Sequence, residues 1–125
     1  MGNKYVLIKT DGALVMIDGT VDVNAVAALA NKNTTHAVKV GRKSVQRNMI
    51  AAIAPLDAVE KTEGNVIVQA MNTNLYATVE NADDAITKLT DAINSKHYVV
   101  ISNILICRGA YQCAEPIEEM TESAQ

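Results

Sequence analysis

Tryptophan and phenylalanine are absent from the chain, and tyrosine stands at four positions only, Tyr5, Tyr76, Tyr98 and Tyr111. Proteins that hold single-stranded nucleic acid stack bases on several aromatic rings, so that mode of binding has little to work with. Cysteine is equally scarce, with Cys107 and Cys113 alone. Two thiols without CxxC spacing build neither a disulfide framework nor a thiolate metal site. Both read as reduced and mostly buried. Histidine also occurs twice, and neither His36 nor His97 has a second His, Cys or carboxylate at ligand spacing. Each reads as a hydrogen-bonded residue at a strand entrance, and no metal or cofactor is expected.

Other absences narrow the class further. No apolar run approaches the roughly 20 residues that span a bilayer. The opening "MGNKYVLIKTDG" has no apolar signal core, and Val6 stands where the myristoylation pattern wants Ser or Thr. A cytoplasmic location without membrane contact is the expectation. No GxSxG, P-loop, GxGxxG or HExxH occurs. Ser44 and Cys107 have no local base. Arg108 would favour a Cys107 thiolate, but the aligned residue in the first half is Gln46. The chain therefore reads as non-enzymatic.

What is present fits a globular protein. Of 125 residues, 49% are apolar and 20% charged, enough for one domain with a real core. The net charge is −3, unevenly split: residues 1–62 carry eight cations against five acids, and residues 63–125 carry three against nine. No acid occurs between Asp22 and Asp57. Such asymmetry points to a partner of opposite charge.

The chain also repeats itself. "HAVKVGRKSVQRNMIAAIAPLD" over 36–57 aligns without a gap with "HYVVISNILICRGAYQCAEPIE" over 97–118, sixty-one residues later. Both histidines and both prolines fall in register, His36 with His97 and Pro55 with Pro116. Arg47 matches Arg108, Val38 matches Val99 and Asp57 matches Glu118. Upstream, Leu14 matches Leu75 at the same spacing, and "VLIK" resembles "VIVQ" one position out of phase. The copies join near "AVEKTEGN".

Each copy reads strand, turn, strand, helix, hairpin, strand. The turns are Asp11-Gly12, Asn72 to Asn74, Gly41-Arg42 and Ser102-Asn103. One helix starts at an Asp22 cap and buries Val23, Val26, Ala27 and Ala30. The other starts at Asn81 and buries Ala82, Ile86, Leu89 and Ile93. Pro55 and Pro116 stop the last strand of each copy. The expected fold is α+β: an internally duplicated ββαβββ unit with pseudo-twofold symmetry, antiparallel sheets and two helices. It forms a single domain over 1–125, with repeats at about 4–58 and 65–119 and a short flexible acidic tail at 120–125.

The copies differ in one telling place. "YVVISNILIC" over 98–107 is apolar on both faces, so both faces are covered. In the first copy Lys39, Lys43, Ser44 and Gln46 replace Val100, Ile104, Leu105 and Cys107. The cover on the second hairpin is either the rest of the chain or another subunit. On the second view Tyr98, Val100, Ile104 and Leu105 form an interface, and charge complementarity suits head-to-tail assembly.

Arg47 and Arg108 are the paired candidates for binding. A guanidinium is a planar fork of donors suited to phosphate or carboxylate, and two of them can grip one anionic ligand. Alternatively each ties down carbonyls or a carboxylate at the strand corner, with Asp57 and Glu118 available. Lys39, Arg42 and Lys43 extend the basic surface. The function expected is a binding and assembly protein, homo-oligomeric, presenting the paired arginines and a basic β-ribbon to an anionic small molecule or a protein partner. Two alternatives stand beside it. One is a small β-rich nucleic-acid-binding regulator, since a β-ribbon can enter a groove; an isoelectric point near 5.3 weighs against it. The other is a structural subunit of a cellular or viral assembly.

Overall fold

Asp11 and Gly12 fold the start of the chain back on itself. Strand β1 (Tyr5–Lys9) returns as β2 (Leu14–Ile17), with the Asp11 carboxylate accepting the Ala13 N–H. The Asp22 carboxylate then accepts the N–H groups of Asn24 and Ala25 and starts helix α1 (Val23–Ala30). Its apolar stripe, Val23, Val26, Ala27 and Ala30, is buried as the spacing predicts. A tight hairpin follows, β3 (Ala37–Val40) and β4 (Lys43–Gln46), turning at Gly41-Arg42. One 3-10 turn, Arg47–Met49, leads into β5 (Ile50–Pro55).

These elements come from a computed structural model that describes residues 4–117. Glu118 and the acidic tail lie outside the described residues. Pro55 ends β5, and helix α2 (Leu56–Glu60) begins at once. This is a third helix where two are expected. Proline lacks the N–H a ladder needs, but its fixed φ, here −59°, also suits the start of a helix.

The second half runs β6 (Val66–Ala70), β7 (Thr73–Ala77), α3 (Ala82–Ser95), β8 (Tyr98–Ile101), β9 (Ile104–Cys107) and β10 (Tyr111–Pro116). The β6–β7 turn is Met71-Asn72, just ahead of the expected Asn72–Asn74. Both residues have positive φ, 50° and 63°, as a two-residue hairpin turn of matching twist requires. The Asn81 side chain caps α3. Only Leu89 of its four apolar positions is fully buried; Ala82, Ile86 and Ile93 cover the same core in part.

The molecule is α+β with antiparallel sheets. A five-stranded sheet, β2-β1-β5-β9-β8, lies between two cores. On one face the sheet β10-β6-β7 and α3 close a core with Ile8, Val68, Leu75, Leu89 and Ile106. On the other face α1 and the β3–β4 hairpin close a core with Leu7, Val26, Val38, Val45 and Leu105. Strand β9 sends Ile104 and Ile106 to the first core and Leu105 to the second, which is why it is apolar on both faces. No described helix is long and apolar enough to cross a membrane.

The two halves share a ladder register. β1 meets β5 with Tyr5 opposite Pro55 and Leu7 opposite Ile53. β6 meets β10 with Val66 opposite Pro116 and Val68 opposite Ala114, each 61 residues further on. Both ladders carry an irregularity at the corresponding place. The Leu14–Leu75 match does not survive: Leu14 opposes Ile8, whereas Leu75 opposes Val68. The pairing equates Leu14 with Asn74, because the second hairpin is one residue shorter. Leu14 is 53% exposed and Leu75 fully buried. It also removes the apparent phase error between "VLIK" and "VIVQ", placing Val6 at the level of Ile67. β5 pairs with β9, but the pair that would balance it in a closed twofold, β10 with β4, does not form.

Gly41 holds the β3–β4 turn at φ 60°. A Cβ there would meet the Asp18 carbonyl oxygen and approach Ile17 Cγ2 at 2.6 Å. Gly41→Ala therefore costs about 1–3 kcal/mol, read from urea unfolding midpoints. Gly109→Ala, where no atom lies within 4 Å of the added carbon, is the control and costs much less.

Candidate functional site

Alternation along a strand decides which side chains the β3–β4 ribbon shows to water. Val38, Val40 and Val45 are buried and anchor it to the second core. Ala37, Lys39, Ser44 and Gln46 form the outer face and are exposed. Arg42 lies in the turn and Lys43 closes it opposite Val40, both exposed. The described residues hold two ion pairs, Lys61 with Asp57 and Lys88 with Asp84. Lys39, Arg42 and Lys43 thus have no carboxylate partner among the described residues. All three lie at the turn end of one hairpin, Lys39 on its outer face and Lys43 on the side of Val40.

The two arginines are placed differently. Arg47 Nη1 donates to the carbonyl oxygens of Ala30 at 3.2 Å and Lys32 at 2.8 Å, where α1 ends. Arg108 Nε donates to the Ile93 carbonyl at 2.9 Å, in the last turn of α3. The final carbonyls of a helix have no partner within it and carry its negative end, so a guanidinium satisfies both needs. Each arginine clamps a different helix, Arg47 that of the second core and Arg108 that of the first. Their backbone N–H groups also match, Arg47 to the His36 carbonyl at 2.8 Å and Arg108 to the His97 carbonyl at 2.6 Å. Both imidazoles are exposed. Asp57 pairs with Lys61 rather than with Arg47.

Three of the four interface candidates are covered by the chain itself. Tyr98, Ile104 and Leu105 are 6%, 1% and 0% exposed, and Val100 is half-buried. No second subunit is needed to keep this hairpin dry. One contributor has no sequence signal beyond an Asn after a helix: Asn31 pairs its side-chain amide with Tyr98, accepting the N–H and donating to the carbonyl, both at 2.9 Å. The Tyr98 hydroxyl donates to the Arg47 carbonyl at 2.9 Å. Burial, with the adjacent Cys107, pushes the phenol up to about 12, against the opposing pull of Arg47.

The thiols divide. Cys107 is half-buried, but Cys113 is exposed, correcting the expectation that both are covered. Cys113 sits on β10, a strand of mostly exposed residues. Among the described residues one open cleft of about 510 Å³ is bordered by Lys4, Asp57 and Tyr76, and another of about 580 Å³ by Lys4, Tyr5 and Asp18. Neither is lined by the ribbon cations or by either arginine. No three His, Cys, Asp or Glu side chains gather as a metal site among the described residues. No known protein family, curated protein or solved structure matches the chain.

Arg47→Ala removes two carbonyl contacts and destabilises the fold by about 1–3 kcal/mol; Arg108→Ala, exposed and with one contact, costs less. Denaturant midpoints order the two. The phenol at Tyr98 ionises near 10 in the unfolded chain and near 12 in the fold. Its contribution to stability is intact below pH 10 and is lost as pH rises towards 12. Tyr98→Phe flattens that alkaline loss and lowers stability at neutral pH by about 1 kcal/mol.

Proposed function

We propose that the chain is a non-catalytic binding and assembly module whose docking element is the β3–β4 ribbon. One observation carries the reading: three exposed cations, Lys39, Arg42 and Lys43, stand without acidic partners among the described residues at the turn end of a hairpin that Val38, Val40 and Val45 anchor in the core. A rigid, buried anchor holds the cations in place, which lowers the entropy lost when they meet a partner. The partner has an acidic surface or strand. Arg47 holds the end of α1, which shares the second core with the ribbon, whereas Arg108 holds the end of α3 on the other face of the sheet.

The same reading takes the chain as an internal duplication. Ladder registers offset by 61 residues in β1–β5 and β6–β10 support it, as do the matched arginine contacts at the two helix ends. In one copy the hairpin face became apolar and was built into the molecule. In the other it stayed polar and basic, free for a partner.

The test uses a labelled decaglutamate peptide as the acidic probe. The triple variant Lys39→Glu, Arg42→Glu, Lys43→Glu keeps the wild-type circular dichroism spectrum and binds the peptide at least about tenfold more weakly. Unchanged binding refutes the docking role. A single-stranded oligonucleotide run in parallel separates the nucleic-acid reading: tighter binding than the peptide, with a steep salt slope, would favour that reading instead.

A further inference from the structure

We infer that the acidic partner of the ribbon is a second copy of this chain, joined edge to edge with β4 of one copy against β10 of the next. The inference rests on the docking role of the ribbon and names its partner. Its starting point is the strand pair that links the halves among the described residues. β5 and β9 meet with Ala52 opposite Ile106 and Ile53 opposite Leu105. By the 61-residue offset, the counterpart of β5 is β10 and the counterpart of β9 is β4. Among the described residues, β4 pairs with β3 alone and β10 with β6 alone. Each therefore keeps one edge of unpaired backbone groups, the form of edge that recruits another strand.

The hydrogen-bonding parity agrees. Val40 and Lys43 close the two-residue turn of the ribbon, so the next pair, Lys39 with Ser44, is the non-hydrogen-bonded one. The N–H and C=O of Ser44 point away from β3, as those of Leu105 point towards β5. Carrying the β5–β9 register across by 61 residues sets Ala114 opposite Ser44 and Cys113 opposite Val45. One step along the ladder sets Glu115 opposite Lys43; one step the other way sets Gln112 opposite Gln46.

The side chains fit that register. In the joint within the chain, the positions corresponding to Glu115 and Lys43 are Ala54 and Ile104, both buried and apolar. In the joint between copies they are an acid and a base, both exposed in the single chain, and an opposite-charge pair across a ladder is stabilising. The acidic second half and basic first half reinforce the same head-to-tail polarity. Because the two surfaces differ, the contact is heterologous and produces a ring or an open filament.

The experiment is sedimentation velocity of the full chain at low ionic strength, over a range of concentrations, with circular dichroism as the control for folding. Wild type self-associates. Lys43→Glu and Glu115→Lys each weaken self-association by about fivefold or more, and the double exchange, which restores an opposite-charge pair in reversed polarity, recovers wild-type association to within about twofold. A monomer at millimolar concentration, or folded single variants that associate like wild type, overturns the inference. So does failure of the double exchange to recover association. If the chain stays monomeric while the ribbon variant loses the decaglutamate peptide, self-assembly falls and the docking role stands. If neither measurement responds to the ribbon, both fall.

Discussion

Everything in the molecule depends on the short ladder between β5 and β9. Two registered pairs, Ala52 with Ile106 and Ile53 with Leu105, merge the strands of both halves into one sheet. A five-stranded sheet in the middle of a small protein exposes two broad apolar faces, and each must be covered. One is covered by β10-β6-β7 and α3, the other by α1 and the β3–β4 ribbon. The ribbon is thus a lid on the second core before it is anything else. Its valines fix it there, and their alternation forces Lys39, Ser44 and Gln46 outward.

Much of this was legible because it is local. Gly41-Arg42 and Ser102-Asn103 are turns, Asp22 and Asn81 are helix caps, and the α1 stripe is buried where its spacing places it. Local chemistry dictates those features. The neighbour order of strands was not legible, since β5 beside β9 is a contact between residues more than fifty positions apart. Leu14 and Leu75 mislead for a related reason. Identity at a fixed spacing ignores a one-residue change in hairpin length, while hydrogen bonding does not. The short α2 escaped because Pro55 reads equally as a stop and as a start.

The site was legible in part for the same physical reasons. Cations without acidic neighbours in sequence, Lys39, Arg42 and Lys43, form no ion pair among the described residues, although Arg42 packs beside Asp18 through its backbone. The arginines were ambiguous because their partners are main-chain carbonyls of Ala30, Lys32 and Ile93, and every residue offers a carbonyl. Side-chain chemistry cannot single those out. Likewise Asn31 carries no mark that it will complete the edge of β8.

That last contact bears on how the chain acquires its structure. The core beneath α1 includes Tyr98 and Leu105, and the end of α1 is tied to Tyr98 by Asn31. During synthesis from the N-terminus, the whole first half leaves the ribosome before those residues do. The first half cannot finish its interior alone, however early its hairpins and helix form. Completion waits for a long loop to close, which slows folding and leaves apolar surface open meanwhile. Maturation of the early half is therefore timed by the arrival of the late one.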